Sequence, residues 1–163
     1  MPLSGGERTR FMVDAMLGSL ARKLRALGFD AAYFKDGTDS ELLSRTGSEG
    51  RVMLTSDRSL ASRARAKGIK VMLLRGKSDG RRVAEIGRGS EAVGVRLVRG
   101  DPLCSLCGGE LEALGKKDVR GRVPQSVEGR HRLFFRCKSC GHYYWRGTHW
   151  KKLRSLANRL GEK

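Results

Sequence analysis

Acidic residues are scarce in this chain of 163 residues: 17 Asp and Glu stand against 34 Lys and Arg, a formal net charge of +17. No stretch approaches the ~18 consecutive apolar residues of a membrane span, so no spanning helix is expected. No strongly apolar amphipathic helix accompanies the charge, which argues against a membrane-surface protein. Met1–Arg10 has no apolar segment of the kind a secretory signal carries, so a cytoplasmic location is expected. Internal repeats and low-complexity tracts are lacking as well. Cysteine is rare: four residues, all beyond residue 100.

The surplus of positive charge is spread evenly. Residues 1–100 carry 20 Lys and Arg against 11 Asp and Glu, and residues 101–163 carry 14 against 6. A basic tail would concentrate the excess, so the whole surface reads as one suited to a polyanion, with nucleic acid the expected partner. Solubility in a salt-rich or hot cytoplasm would account for the same charge.

The four cysteines form two C-x-x-C pairs, Cys104/Cys107 and Cys137/Cys140, with glycines following each second cysteine. Each C-x-x-C turn brings two sulfurs to one point, and two such turns complete the tetrahedral S4 cage that zinc prefers. Two disulfides or a redox-active pair would use the same residues, but nothing in the sequence suggests secretion. A structural zinc is therefore expected at Cys104, Cys107, Cys137 and Cys140. With four protein thiolates it has no open position for chemistry.

Three domain-level segments follow: a disordered leader over 1–9, an α/β domain over 10–100, and a zinc ribbon with a basic C-terminal helix over 101–163. Within 10–100 the apolar pattern predicts strands at Arg10–Val13, Ala31–Phe34, Arg51–Thr55 and Ile69–Leu74. Helices are predicted at Leu17–Leu27, from the capping box Thr38-Asp39-Ser40-Glu41 to about Glu49, and at Asp57–Lys67. This alternation indicates a parallel sheet flanked by helices. Between Gly76 and Gly100 the signal weakens to a helical turn at Arg82–Ile86 and a strand or linker at Val93–Val98. Val119, Val123, Val127 and Leu133-Phe134-Phe135 are expected to supply short ribbon strands. Leu153, Leu156, Ala157 and Leu160 mark a helix over Trp150–Leu160.

In so basic a chain the placement of the acids matters. Asp14 ends the first strand, Asp57 follows the third, and Asp39 opens the second helix. Ligands of open parallel sheets bind at the carboxyl ends of the strands, which is where these residues fall. Converging carboxylates call for a hard cation, Mg²⁺ or Mn²⁺. Taken singly, each has a structural reading: Asp14 and Asp57 as helix N-caps, Asp39 as a complement to its helix dipole.

The residues Val13-Asp14-Ala15-Met16-Leu17-Gly18-Ser19-Leu20-Ala21-Arg22-Lys23-Leu24-Arg25, Leu27-Gly28-Phe29-Asp30, and Tyr33 with Asp36 and Asp39 make a further pattern. With Leu54-Thr55-Ser56-Asp57-Arg58-Ser59-Leu60-Ala61 and Tyr144-Trp145-Arg146-Gly147-Thr148-His149-Trp150, the chain resembles the Mut-seven C-terminal RNase family over residues 10–155. The resemblance implies a PIN-like fold followed by a four-cysteine zinc ribbon, and metal-dependent hydrolysis of RNA. It implies an acidic site of Asp14, Asp39 and Asp57, with Asp36 as a fourth member, holding Mg²⁺ or Mn²⁺. Two positions depart from the family: an aromatic is usual where Lys23 stands, and arginine where Ser56 stands. PIN-like domains often pair, so a homodimer is among the expectations.

RNA, with tRNA and rRNA as the family-based examples, would be met by Arg22, Arg25 and Arg58 on the helices that begin at the acidic edge. Lys138, Arg146, Lys151 and Lys152 would extend that track along the ribbon. Tyr143, Tyr144, Trp145 and Trp150 offer either stacking faces for unpaired bases or the small core a ribbon needs. A non-catalytic RNA- or ribosome-binding module would explain charge and zinc equally. A phospho-acceptor receiver domain fits poorly, because Ala15 stands where that class pairs a second acid.

Overall fold

The computed structural model describes residues 7–161, so the leader expected over 1–9 lies largely outside the described residues. At its end, Thr9 is buried and exchanges hydrogen bonds with Val98: Thr9 N donates to Val98 O at 2.9 Å, and Val98 N to Thr9 Oγ1 at 2.8 Å. The stretch Val93–Val98 forms no strand: Val93 closes a 3-10 turn, and the rest runs as a linker tied by these bonds to the residue that precedes the first strand.

Strands β1 (Arg10–Asp14), β2 (Asp30–Phe34), β3 (Val52–Thr55) and β4 (Val71–Leu73) make a parallel sheet in the order β2-β1-β3-β4. Their side chains alternate between two cores, as the two-residue period of a strand requires. Phe11, Val13, Val52, Leu54 and Met72 face one side, where α1 (Gly18–Ala26), α4 (Asp79–Gly89) and α6 (Thr148–Arg159) pack. Met12, Met53 and Val71 face the other, covered by Leu42 and Leu43 of α2 (Asp39–Ser48) and Leu60, Ala61 and Ala64 of α3 (Arg58–Ala66). Burial on both faces is what makes these strands continuous apolar runs. Where sequence periodicity indicated one turn at Arg82–Ile86, a full helix α4 stands. Three glycines over Asp79–Gly89 dilute the pattern, while Val83 and Ile86 are completely buried.

The predicted capping box is present: Glu41 N donates to Thr38 Oγ1 at 3.2 Å, and Thr38 N to Glu41 Oε2 at 2.6 Å. Gly28 ends α1 at φ +95°, and a Cβ there would lie 2.0 Å from the Gly100 carbonyl oxygen. The close approach lets Gly100 N donate to Gly28 O at 2.9 Å, fixing the linker against the body.

The remaining sheet is antiparallel, β5 (Leu111–Gly115), β6 (Leu133–Cys137) and β7 (Tyr143–Trp145), in that order. Its own core is small, chiefly Val119, Val123 and Phe134. The strands expected around Val119, Val123 and Val127 are absent. Val119 closes a 3-10 turn, and Val127 lies in the short helix α5 (Gln125–Arg130), where Pro124 at the N-cap favours helix initiation over pairing.

Candidate active site and metal centre

β1 leads into α1 on one face of the sheet, whereas the neighbouring β3 leads into α3 on the other. The carboxyl ends of β1 and β3 therefore flank the switch point of the sheet, the crevice where open α/β folds hold their ligands. Asp14 ends β1 and Asp57 follows β3, one on each side of that crevice. Thr55, fully buried, links them: its hydroxyl donates to Asp14 Oδ2 at 2.9 Å and accepts from Asp57 N at 3.0 Å. Asp57 Oδ1 accepts from Leu60 N at 3.0 Å, so this residue is the N-cap of α3 as well. Asp14 Oδ1 and Asp57 Oδ2 take no hydrogen bond among the described residues. Tyr33 donates to Ala15 O at 2.7 Å and so fixes the turn that follows Asp14.

Asp39 lies at the first position of α2, exposed, with Arg63 Nη1 of α3 donating to its Oδ2 at 3.0 Å. Asp36 is exposed in the loop between β2 and α2. These four aspartates share the carboxyl edge, but among the described residues no three of them bring their oxygens together as a metal-holding group, as the four cysteines do. Beside them, Met16 is the most exposed large apolar side chain among the described residues, at 73%. A methionine in a helical pattern reads as core, and only its position in the turn after Asp14 reveals otherwise.

Asp79 is buried at the start of α4. Ser19 Oγ, Lys23 Nζ and Arg82 Nη1 donate to its carboxylate at 2.7, 2.6 and 3.0 Å. Burial would raise its pKa, but these donors outweigh it and hold the carboxyl below its ordinary value. The lysine that replaces the usual aromatic at position 23 thus finds a buried acid to pair with.

In the ribbon the four cysteine sulfurs lie within 4.8 Å of one another, and all four are free thiols. The closest sulfurs, Cys107 to Cys137 at 3.4 Å and Cys104 to Cys140 at 3.6 Å, are far beyond the disulfide length of about 2.05 Å. They are near the about 3.8 Å edge of a tetrahedron with Zn–S of about 2.3 Å, so the soft S4 set fits zinc. Although burial opposes it, amides of Cys140 and Ser139 pull the Cys137 thiol down to about 6, while Cys107 is pushed up to about 12. Gly109 N donates to Cys107 Sγ and Ser139 N to Cys137 Sγ, both at 3.4 Å, as metal knuckles require.

Two residues assigned other roles from sequence belong to this centre. The Tyr144 hydroxyl lies 3.0 Å from Cys104 Sγ and 3.2 Å from Ser105 Oγ, and burial with the adjacent Cys104 raises its pKa to about 12. It stays protonated and can donate to the Cys104 thiolate, orienting that sulfur for a metal. Arg25 was expected to contact RNA. It is buried, and its guanidinium donates to the carbonyls of Ala31, Ser105 and Leu106 at 2.8, 3.2 and 2.9 Å. Its role is to clamp the first cysteine knuckle to the α/β body, and burial lowers its pKa from the ordinary arginine value.

The other expected RNA contacts are accessible. Arg22, Arg58, Arg146, Lys151 and Lys152 are exposed, Trp150 is half-buried, and exposed Lys138 pairs with Glu110 at 3.0 Å. Arg146 stands over the Trp150 ring, 4.7 Å from its centroid. No helix among the described residues is long and apolar enough to cross a membrane.

A family model described as the Mut7-C RNAse domain matches residues 9–157, nearly the whole chain. No curated protein and no solved structure matches. The chain belongs to the Mut7-C RNAse domain family.

Proposed function

We propose that this member of the Mut7-C RNAse domain family is a metal-dependent ribonuclease, hydrolysing RNA phosphodiesters at Asp14, Asp57 and Asp39, with Asp36 at the margin. The observation that carries the reading is the Asp14–Thr55–Asp57 link across the switch point, where each carboxylate keeps one oxygen without a partner among the described residues. Two hard oxygen donors on adjacent strand ends suit Mg²⁺ or Mn²⁺. When bound, such an ion supplies a water of lowered pKa and stabilises charge on phosphoryl oxygens.

The chain's own residues do the rest. Thr55 fixes the Asp14 carboxylate through Oδ2 and the start of α3 through the Asp57 amide, so both acids are held in register by one buried hydroxyl. Asp39, tied to Arg63 across α2 and α3, would orient the attacking water or join the ion once that pair opens. Arg58, exposed beside Asp57, would meet a backbone phosphate. The cysteine centre would hold zinc and keep the ribbon folded, extending the basic surface along which RNA lies. A homodimer would set two such edges on one basic surface.

A second reading has its own support. Asp57 already caps α3, and Asp39 already pairs with Arg63, as structural acids do in an RNA-binding module without activity. Labelled single-stranded RNA and a folded tRNA, incubated with Mn²⁺ or Mg²⁺, separate the two. Asp14→Asn and Asp57→Asn preserve shape, and asparagine remains a good N-cap, so both variants are expected to fold and bind RNA. Metal-dependent cleavage that falls at least about 100-fold in each supports the nuclease. Binding with no cleavage by the parent chain would leave the binding module.

A further inference from the structure

Helix α6 is fastened to the body at one end. Its last turn lies on α4, where a Cβ on Gly87 would come within 2.6 Å of the Leu160 carbonyl oxygen, and Leu160 itself is buried. Nearer its first turn the helix faces the end of α1 and the linker across a gap. The gap is a cleft of about 260 Å³ whose lining includes Ala26, Leu27, Pro102, Trp150, Leu153 and Arg154. Its walls are largely aliphatic, with one indole. Arg99 and Arg154 join the lining, as does the exposed Asp101, and Arg146 stands over the indole at 4.7 Å.

That chemistry is selective. The volume is below the about 300–1,000 Å³ of sites for drug-sized ligands, which suits a single ring system better than a whole nucleotide cofactor. An aliphatic slot with one aromatic wall favours a planar, weakly polar ring. Arginines beside it favour a ring carried on a polyanion. A base in a duplex cannot enter, since its faces are already stacked. The larger hollow at the amino edge of the sheet offers no such site: it has no aromatic wall, the last turns of α2 and α3 end there, and Arg51 and Lys70 already bond within the protein.

We propose that the cleft between α6, the end of α1 and the linker takes an unpaired base of an RNA strand, stacked on Trp150, with Arg154 and Arg146 on the adjoining phosphates. The inference deepens the RNA reading and rests on it for the nature of the ligand. A 3-10 turn separates Asp14 from α1, which then runs about 13 Å over its nine residues to end at the cleft, with Arg22 exposed on the way. A strand anchored by its base in the cleft therefore reaches the aspartates only after several nucleotides, which makes the cleft a determinant of minimum substrate length.

The test uses the full zinc-loaded chain without added Mg²⁺ or Mn²⁺. Trp145→Phe leaves Trp150 as the sole tryptophan of the two in the sequence, so its fluorescence reports on the cleft alone. An unstructured oligoribonucleotide is expected to quench it saturably, while an abasic oligomer of equal length and charge binds without quenching. In the otherwise native chain, Trp150→Leu is expected to weaken single-strand binding about tenfold, the loss of one stacked base, and to leave duplex binding unchanged. Arg154→Ser, on an exposed position, is expected to weaken both base-bearing and abasic strands about threefold. Circular dichroism and zinc content establish that each variant is folded. Equal quenching by the abasic strand, or the same loss for single and double strands in Trp150→Leu, would overturn the proposal. Since binding is read without cleavage, failure of the nuclease reading registers only in the cleavage assay, and failure of this site only here.

Discussion

Arg25 and Asp79 show how a charged side chain in this protein is decided by what surrounds it. Arg25 sits in a helical run of arginines that sequence cannot tell apart, yet its guanidinium meets three carbonyl oxygens across two parts of the chain. Arg25→Met keeps the volume of the stem and strands those acceptors. The variant is expected to lose about 3 kcal/mol in chemical denaturation, because hydrogen bonds to a buried charge are the strong ones. It should also surrender zinc faster to a chelator, since Ser105 and Leu106 lie inside the first knuckle. Asp79 carries a pH signature. Its folded pKa is depressed by Lys23, Ser19 and Arg82 against the opposing effect of burial. A depressed carboxylate contributes stability in full above its unfolded pKa of about 3.9 and loses it as pH falls from there through the folded value. Asp79→Asn is therefore expected to cost about 2 kcal/mol near pH 7, with the difference from the parent shrinking below about pH 4. Denaturation midpoints at several pH values check the sign.

At the scale of elements, the two sheets differ in what sustains them. The parallel sheet is covered on both faces by helices and carries two cores, including the edge-to-face pair Phe11 and Phe29 at 5.3 Å. The antiparallel part has three fully or nearly buried apolar residues in its own core, so a metal held at the cysteine centre would supply much of its stability. Stripping metal is therefore expected to unfold the ribbon and spare the body. Hydrogen exchange should show protection falling by at least about 100-fold in β5, β6 and β7 while β1 and β3 retain theirs. Loss of protection in β1 at the same rate would show that the body depends on the ribbon more than its core implies. The elements legible in sequence are those whose period is clean: β1 and α1 to α3 stand within a few residues of their predicted bounds. α4 was muted by Gly80, Gly87 and Gly89, and α5 was hidden because valines favour strands wherever packing leaves the choice open.

For the molecule as a whole, charge and topology combine. With a formal charge of +17 spread over both parts of the chain, single-stranded RNA binding should be governed largely by counterion release. A strand that engages about six phosphates gives a slope near −4 in log K against log salt, and a titration from low to high salt measures it. A slope near zero would mean that the basic surface serves solubility rather than RNA.

The alternation of strands and helices, the S4 donor set and the positions of Asp14, Asp39 and Asp57 are legible without any structure, because each is written in local spacing: periods of 2 and 3.6, C-x-x-C turns, and acids at strand ends. Tertiary structure alone decided which of these meet. The strand order β2-β1-β3-β4 makes neighbours of Asp14 and Asp57 across a buried threonine. Burial took Arg25 away from the surface, a hydroxyl brought Tyr144 to a cysteine sulfur, and the placement of α6 against the end of α1 and the linker formed the cleft beside Trp150. Those outcomes depend on contacts between residues tens of positions apart, and local propensity carries no information about them.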